Sequence, residues 1–343
     1  MQHDEFRHYA ESARKIARLL ESSDSIVITT HVRPDGDAVG SMLGLSNALR
    51  MLGKSPRSIV SSPVPAFLRF LPHCDTIEQY NPLSHDGVIA TADIIVCVDF
   101  NHLSRIESME PIVASSTARR VLIDHHLDPE DGFAAALHDT EVASTAELVF
   151  ALLALEYPAT VDGDVAIPLY VGIVTDTGSF RFPRVTSRTH RIVAALLDRG
   201  VDPPAIHQAL FDTNTPARMR LLGEVLRSLD VVCDGRCAIL TVTRSALQAV
   251  NATMDDTEGF VQHTLTIEGV QIGVFLSEMF ERDAVKISMR SKGNADVRLI
   301  AERFGGGGHL NAAGAIAEGM TIEQVKAQII VLATELLSAR RND

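Results

Sequence analysis

Short apolar runs alternate with longer amphipathic stretches along the first half of the chain. The apolar runs lie at 25–31, 94–99, 121–124 and 169–176, and each has the length of one buried strand. The first run is followed by a segment in which apolar residues recur at helical spacing up to Gly53. Strands and helices that alternate in this way predict a mostly parallel sheet with helices packed against it.

The pattern changes after about residue 190. Residues 187–228 show helical spacing, and strand-like runs then dominate until a closing helix that begins near Thr321. These runs lie at 231–233, 238–243, 269–276 and 284–289. We therefore predict an α/β protein with an N-terminal domain at 1–190, a helical connector at 191–225 and a smaller C-terminal α/β domain at 226–343.

Composition and charge narrow the range of functions. The 343 residues suffice for two domains, and 46% hydrophobic and 22% charged residues are typical of a globular protein. The net charge of −13 argues against a broad basic groove for long nucleic acid, and the absence of Trp argues against a row of base-stacking aromatics. A substrate that carries phosphate must then be held locally, by metal ions, a few arginines or backbone amides.

Targeting signals and cysteines indicate the compartment. The sequence shows no signal peptide, and no apolar run approaches the roughly 20 residues that span a bilayer. The four cysteines show no disulfide framework. Cys233 and Cys237 flank the turn dipeptide Asp234-Gly235, which favours a β-hairpin over a metal-binding cysteine pair. We expect a cytoplasmic protein that does not enter the membrane.

Acidic residues fall where the predicted strands end. Three of the four apolar runs of the first half stop at Asp99, Asp124 and Asp176, and the first run stops at His31. The loops beyond these ends add Asp35, Asp37, His125 and His126. Each residue alone is typical of a solvated turn or a helix cap. Ligands bind beyond the carboxyl ends of parallel strands, so the whole set predicts one acidic crevice.

Divalent cations would compensate for these crowded carboxylates. Carboxylates mixed with imidazoles suit Mn²⁺, with Co²⁺, Mg²⁺ or Fe²⁺ as rivals. Four carboxylates balance two divalent cations, and pairs of such ions are a recurring device for cleaving phosphoesters. The sequence therefore predicts a site for two divalent cations, and phosphoester cleavage is the chemistry that such pairs commonly serve.

The spacing of these residues resembles that of the DHH phosphoesterase family with a C-terminal DHHA1-type domain. The motifs are HVRPDGDAVGS at 31–41, VD at 98–99, DHH at 124–126, TDTG at 175–178, RS at 290–291 and FGGGGHLNAAG at 304–314. The resemblance covers roughly residues 20–320 and is strongest to the bacterial nano-RNase and pAp phosphatase group. It implies that 1–190 is a DHH metal-binding domain and that 226–343 binds the substrate.

The resemblance also implies individual roles. One metal would be held by His31, Asp35, Asp99 and Asp176. The other would be held by Asp37, Asp99, His125 and Asp176. Asp124 would orient an imidazole, and His126 would face the scissile phosphate or the leaving oxygen. Predicted substrate-binding residues in the C-terminal domain are Arg290, Ser291, Gly306, Gly307, Gly308 and His309.

The expected activity is hydrolysis of single-stranded RNA or DNA oligonucleotides of two to five nucleotides to 5′-mononucleotides, and dephosphorylation of 3′-phosphoadenosine 5′-phosphate (pAp) to AMP. We expect a homodimer. A phosphodiesterase for cyclic dinucleotides or linear pApA would use the same site. A family II pyrophosphatase would lack the Gly-rich motif, and a processive exonuclease would need further modules. A non-catalytic nucleotide sensor is the alternative from another class.

Overall fold

The computed structural model describes residues 5–279 and 282–338. The chain forms two compact units, of which the first ends at Thr213 and the second begins at Asn214. This division separates the two sheets of the protein. The predicted α/β fold class is confirmed.

The first unit is built on a six-stranded sheet with the order β3-β2-β1-β4-β5-β6. Its strands are β1 (Ile26–Thr29), β2 (Arg57–Val60), β3 (Ile77–Gln79), β4 (Ile94–Val98), β5 (Arg119–Asp124) and β6 (Ala135–His138). All neighbouring strands pair in parallel. The strand order reverses between β1 and β4, and such a switch point is where open parallel sheets bind ligands.

Helices cover both faces of this sheet. They are α1 (Ala10–Glu21), α2 (Gly36–Met51), α3 (Pro82–Ala90), α4 (Glu110–Ser115), α5 (Thr145–Glu156), α6 (Gly163–Asp176), α7 (Ser187–Leu197) and α8 (Pro203–Phe211). The larger apolar core joins α1, α2, α5 and α6 to one face of the sheet. A smaller core packs α3 and α4 on the other face. Both faces of the central strands are therefore buried, which explains their continuous apolar runs.

The strand predicted at 169–176 is wrong, because these residues form the last turns of helix α6. The run is apolar and is buried all round in the helical layer. A short apolar run of this kind fits a buried strand and a buried helix equally well. The helix begins earlier, at Gly163, and the carboxylate of its N-cap residue Asp162 accepts a hydrogen bond from the amide of Asp164 at 3.2 Å.

A stripe of glycines lets helices α2 and α6 touch. A Cβ atom added at Gly40 would lie 2.3 Å from the carbonyl oxygen of Pro168, and one at Gly44 would lie 2.5 Å from the Leu169 side chain. At the end of the stripe, a Cβ at Gly36 would lie 2.3 Å from the Thr175 hydroxyl. These glycines recur every fourth residue and form one face of α2. The first turn of α2 is thereby held against the last turn of α6.

The second unit contains a six-stranded sheet with the order β11-β12-β10-β9-β8-β7. Its strands are β7 (Asp230–Val232), β8 (Cys237–Val242), β9 (Ile272–Glu278), β10 (Ala284–Ser291), β11 (Gly307–His309) and β12 (Ala312–Glu318). Its helices are α9 (Pro216–Arg227), α10 (Arg244–Ala249), α11 (Arg298–Glu302) and α12 (Ile322–Ser338). Strands β7 and β8 pair antiparallel, so the hairpin predicted around Asp234 is confirmed.

The two faces of this second sheet differ. Helices α11 and α12 cover one face with a continuous apolar core. The other face carries a smaller core with α9, α10 and two 3₁₀ segments, Asp255–Thr257 and Phe260–Thr266. The helical connector predicted at 191–225 stays a prediction; α7, α8 and α9 run through this part of the chain.

Candidate metal centre and substrate-binding residues

The carboxyl ends of the three central strands bring the first set of predicted residues together. His31 follows β1, Asp99 follows β4, and Asp124 is the last residue of β5. These strands are neighbours in the sheet. Asp99 has a left-handed backbone with φ of 63°. This conformation is uncommon for residues other than glycine, though Asp tolerates it better than most, and strain of this kind concentrates at functional sites.

Two further carboxylates come from the start of α2. Asp35 is the N-cap residue, and its Oδ1 accepts hydrogen bonds from the amides of Asp37 and Ala38 at 3.0 Å. Asp37 is almost fully buried, with 1% of its surface exposed. The Asp-Gly-Asp sequence therefore forms a helix start whose second carboxylate points inward rather than a solvated turn.

Asp176 joins these carboxylates from a helix, because it is the last residue of α6. The contact between α2 and α6 brings its side chain beside that of Asp37. At Gly172, one turn earlier, an added Cβ would lie 2.8 Å from Oδ1 of Asp37. The absence of a side chain at Gly172 thus leaves room for the Asp37 carboxylate beside α6.

All six predicted metal ligands fall into tight groups. Within each group the ligand atoms lie within 4.8 Å of one another. The groups are His31 with Asp35 and Asp99, Asp37 with His125 and Asp176, and Asp99 with His125 and His126. Asp99 and His125 each belong to two groups, so the groups form one continuous cluster. The first two groups contain three ligands from each of the two sets that the family resemblance implies.

The imidazoles are oriented by the hydrogen bonds of their inner nitrogens. Nδ1 of His31 donates to the carbonyl of Val32 at 2.9 Å, which leaves Nε2 facing Oδ2 of Asp99 at 3.6 Å. Nε2 of His125 lies 3.7 Å from Asp99 and 3.4 Å from Asp176. A backbone carbonyl that fixes the tautomer in this way is the usual support for a histidine that ligates metal through the other nitrogen.

His126 has a different support. Its Nδ1 lies 2.7 Å from Oδ1 of Asp124, and its backbone amide donates to the other carboxylate oxygen at 3.0 Å. Asp124 is fully buried, with 0% of its surface exposed, and is absent from the ligand groups found among the described residues. The structure therefore places Asp124 behind His126, and the His126 ring lies 4.0 Å from Asp99.

The crowding of carboxylates has an electrostatic cost. Burial, together with the charges of neighbouring aspartates, raises the pKa of Asp176 to about 8 and raises the pKa of Asp37 well above its usual range. Burial and the nearby Asp35 also raise the pKa of Asp99, although His31 opposes this change. The cluster resists ionisation without cations, and divalent metals are the natural counter-charge.

The histidines respond to the same surroundings. Burial and the neighbouring His126 lower the pKa of His125 to about 4, so this ring is neutral and available as a ligand. Burial alone would lower the pKa of His126, but its hydrogen bond to Asp124 and the charge of Asp99 outweigh burial and raise it. Carboxylates and neutral imidazoles form a donor set that fits Mn²⁺ or a similar divalent ion.

Sequence reasoning missed the contribution of helix α5. The sequence Ser-Thr-Ala-Glu at 144–147 has the pattern of a capping box at a helix start, and the Ser144 side chain does accept from the amide of Glu147 at 3.4 Å. In addition, the hydroxyl of Thr145 donates to Oδ1 of Asp99 at 2.8 Å. The amides of Thr145 and Ala146 donate to the two oxygens of Asp37 at 2.6 and 2.9 Å. The capping signal accounted for these residues and so concealed their contact with the ligands.

In the second unit, the predicted pair Arg290 and Ser291 is split between the two sheet faces, because successive strand residues alternate. The guanidinium of Arg290 donates to the carbonyl of Met289 at 3.0 Å and lines a pocket. The hydroxyl of Ser291 donates to the carbonyl of Ala295 and accepts from the side chain of Asn311 at 2.9 Å. The Ser291 hydroxyl therefore stabilises its own loop, and its role toward substrate stays a prediction.

The Gly-rich motif has a structural reason of its own. Gly307–His309 form β11, which pairs with β12. A Cβ at Gly306 would lie 2.2 Å from the carbonyl oxygen of Gly314, and one at Gly308 would lie 2.4 Å from that of Ala312. At Gly305 and Gly307 an added Cβ would meet no atom within 4 Å. Close strand approach thus explains two of these glycines, and the binding role of Gly306–Gly308 and His309 stays a prediction.

The fold and the site define a class: an α/β protein with a carboxylate and imidazole centre for divalent metal at the switch point of a parallel sheet. Family models agree. The model described as "DHH family, N-terminal domain" matches residues 25–173, and the model described as "DHHA1 domain" matches residues 237–339.

Related proteins match most of the chain. The chain is 34% identical over 339 residues to the bifunctional oligoribonuclease and PAP phosphatase NrnA of Thermus thermophilus, with 96% of each chain covered. It is 28% identical to the cyclic-di-AMP phosphodiesterase PdeA of Listeria monocytogenes, and the matched region spans 93% of this chain and 48% of PdeA. The chain belongs to the DHH phosphoesterase family and is a hydrolase, as the motifs predicted.

Solved structures share the architecture. An exopolyphosphatase-related protein from Bacteroides fragilis is 35% identical, with a TM-score of 0.92 over 97% of this chain and 98% of that one. The exonuclease RecJ of Thermus thermophilus, in complex with Mn²⁺, is 13% identical with a TM-score of 0.54 and shares the fold alone. Family membership and the ligand cluster together support dependence on divalent metal. Among the described residues, no helix is both long and apolar enough to cross a membrane.

Proposed function

We propose that this protein is a two-metal phosphoesterase that hydrolyses oligonucleotides of two to five nucleotides to 5′-mononucleotides and converts pAp to AMP. The observation that carries this proposal is the continuous ligand cluster in which Asp99 and His125 each belong to two groups. A shared carboxylate is the usual bridge between paired ions in phosphoesterases. The extent of similarity to the NrnA protein of Thermus thermophilus supports the choice of substrates.

Two ions are proposed to be held by the two predicted ligand sets, one through His31 and Asp35 and the other through Asp37 and His125, with Asp99 and Asp176 shared. When bound, the ions supply electrophilic stabilisation of the phosphate and lower the pKa of a water molecule. Mn²⁺ is the ion that this donor set favours.

The protein supplies the proton chemistry through His126. Asp124 holds Nδ1 of this ring, so Nε2 is the nitrogen available to a substrate. The buried carboxylate also stabilises the protonated ring, which suits a general acid that gives a proton to the leaving oxygen. The second hydrogen bond, from the His126 amide to Asp124, fixes the carboxylate and prevents it from turning toward the metal ligands.

The test is a single assay with Mn²⁺ that compares pApA, a five-mer, a long single strand, pAp, a cyclic dinucleotide and pyrophosphate. We expect hydrolysis of pApA, the five-mer and pAp. Asp124→Asn should lower kcat at least about 100-fold, the size of general acid catalysis, with little change in Mn²⁺ affinity. Asp198→Asn, at an exposed position at the end of α7, is the matched control. Wild-type kcat in Asp124→Asn would contradict the proposed role.

A second candidate is a phosphodiesterase that acts on cyclic dinucleotides. The similarity to PdeA of Listeria monocytogenes over 93% of this chain favours it. Faster hydrolysis of the cyclic dinucleotide than of pApA in the same assay would select this candidate. The predicted homodimer stays a prediction that sedimentation would test.

A further inference from the structure

The segment that connects β6 to the first turn of α5, residues 138–147, contacts the candidate metal centre at both of its ends. At its beginning, Nε2 of His138 donates a hydrogen bond to the backbone carbonyl of His126 at 2.6 Å. The backbone amide of Asp139 donates to the carbonyl of Asp124 at 3.3 Å. The end of β6 is therefore bonded to the backbone of the motif that carries the two imidazoles.

The later part of the segment contacts three predicted metal ligands. The carbonyl of Val142 lies 3.5 Å from Nδ1 of His125. Thr145 donates to Asp37 through its amide and to Asp99 through its hydroxyl. Amides in the first turn of a helix have no partner within the helix, and a carboxylate there is a favourable acceptor. Any shift of this segment would therefore disturb several ligands at once.

Two carboxylates of the segment are bonded to other elements instead of to the centre. The hydroxyl of Tyr9, which precedes α1, donates to the carboxylate of Asp139. The hydroxyl of Thr189 on α7 donates to Oε1 of Glu147 at 2.9 Å. Neither carboxylate belongs to a ligand group within residues 5–279 and 282–338. Asp139 and Glu147 thus anchor the segment from outside.

Arg188, in the first turn of α7, joins these two anchors. Its Nε lies 3.6 Å from Oε2 of Glu147, and its Nη1 donates to the hydroxyl of Tyr9 at 3.3 Å. Oε2 of Glu147 is buried and has no hydrogen-bond partner in the part of the chain that the structure describes. Its compensation is therefore the charge of the guanidinium, and a buried carboxylate that loses its counter-charge is strongly destabilised.

A second arginine on the same helix provides a natural comparison. Arg191 pairs with Glu5, and its Nε lies 3.0 Å from the carboxylate. The side chain of Arg191 is 58% exposed, whereas that of Arg188 is 19% exposed and that of Glu147 only 1%. In the described ranges, Arg191 has no hydrogen bond or ion pair with segment 138–147. The two arginines therefore differ in burial and in contact with the segment.

We propose that Arg188 is a positioning residue for the metal centre. It holds Glu147 directly and Asp139 through Tyr9, so it fixes both ends of segment 138–147, and the segment in turn orients the metal ligands that it contacts. Arg188 itself touches none of those ligands. This inference rests on the proposed metal centre, because the segment orients ligands for the ions proposed there.

The first test is calorimetric titration of Mn²⁺ into the full chain after removal of metal by EDTA. Arg188→Gln should weaken Mn²⁺ binding about tenfold, as expected when a group that orients metal ligands is lost. Arg191→Gln, the matched control on the same helix, should bind Mn²⁺ as the wild type does. Tyr9→Phe removes only the hydroxyl that links Arg188 to Asp139 and should weaken binding about threefold.

Further measurements separate positioning from general stabilisation. Thermal unfolding in EDTA reports the stability of each variant without metal. If Arg188→Gln does not fold, the smaller change Tyr9→Phe decides the test. In the Thr145→Val background, Arg188→Gln should weaken Mn²⁺ binding by a smaller factor than in the wild type, because both changes act on Asp99 through one residue. The Mn²⁺ concentration for half-maximal hydrolysis of pApA should rise about tenfold in Arg188→Gln, while KM for pApA at saturating Mn²⁺ stays unchanged.

The outcomes that contradict this inference differ from those that contradict the proposed function. Wild-type Mn²⁺ affinity in folded Arg188→Gln, or in Tyr9→Phe where Arg188→Gln does not fold, would overturn it. An equal loss of affinity from Arg188→Gln with and without Thr145→Val would also overturn it. Failure of the wild type to bind Mn²⁺ would instead overturn the proposed metal centre. Mn²⁺ binding without hydrolysis of any phosphoester would overturn the proposed activity and leave the role of Arg188 intact.

Discussion

The hydroxyl of Thr145 should control metal affinity although it is not a predicted ligand. Thr145 is fully buried, with 0% of its surface exposed, and its Oγ1 donates to Oδ1 of Asp99 at 2.8 Å. Thr145→Val removes this donor and keeps the branched shape of the side chain. The backbone amide of residue 145, which donates to Asp37, remains in place. The substitution therefore isolates one hydrogen bond to the shared carboxylate.

The size of the effect follows from the charge of the acceptor. A hydrogen bond to a charged group contributes about 1.5–3 kcal/mol, and about 1.4 kcal/mol corresponds to a factor of ten. Thr145→Val should therefore weaken Mn²⁺ binding roughly 10- to 100-fold, the range found when groups that orient metal ligands are removed. Thr145→Ser retains the hydroxyl, so its affinity for Mn²⁺ should stay within about threefold of that of the wild type, because loss of one methyl contact has a small effect.

The assay is calorimetric titration of Mn²⁺ into protein freed of metal by EDTA, with thermal unfolding in EDTA as a check of the fold. If Thr145→Val binds Mn²⁺ as the wild type does, the hydrogen bond does not orient Asp99 for metal. If Thr145→Ser, which keeps the hydroxyl, loses as much affinity as Thr145→Val, altered packing at residue 145, rather than the hydrogen bond, explains the change.

Three more predictions test the centre. Asp99→Asn should abolish Mn²⁺ binding measured by calorimetry while far-UV circular dichroism stays unchanged, because Asn also tolerates the left-handed backbone; retained binding would contradict the shared-ligand role. Gly40→Ala should destabilise the protein by about 1–3 kcal/mol in urea unfolding, since its Cβ would meet the Pro168 carbonyl at 2.3 Å, whereas Gly87→Ala in the open space of α3 should be neutral or stabilising. In EDTA, the pKa of Asp176 is raised in the folded protein to about 8, so between about pH 4 and pH 8 the folded state keeps a proton that the unfolded chain has released. The free energy of unfolding therefore has its full value from this group below about pH 4 and declines as the pH rises to about 8. Asp176→Asn should flatten this decline in Tm, and an unchanged slope would refute the assignment.

The sequence predicted most of the centre because strand ends are informative. The sequence predicts Asp99 and Asp124 at the ends of strands, and the structure has Asp99 directly after β4 and Asp124 as the last residue of β5. Short apolar runs that end in an acid point to the carboxyl edge of a parallel sheet. Asp176 was assigned to the correct cluster through the wrong element. Its position depends on contact between two helices that are far apart in the chain, and hydrophobic periodicity carries no signal for such a contact.

Supporting groups were harder to predict than ligands. Thr145 sits in a sequence pattern that local capping explains completely, so nothing local indicates its bond to Asp99. Tertiary packing, rather than composition or spacing, decides this contact.

The glycine stripe between α2 and α6 has a consequence for ion selectivity. The carboxylates of Asp37 and Asp176 are on two helices whose backbones are in direct contact. This contact fixes the distance between the two backbones more firmly than contact between flexible side chains would. Coordination distances differ between small and large cations, about 2.0–2.1 Å for Mg²⁺ against 2.3–2.6 Å for Ca²⁺. A gap of fixed width therefore favours one ionic radius. We expect the discrimination against Ca²⁺ to be altered by a bulkier residue at Gly44, which meets Leu169 on the facing helix and is not itself a predicted ligand.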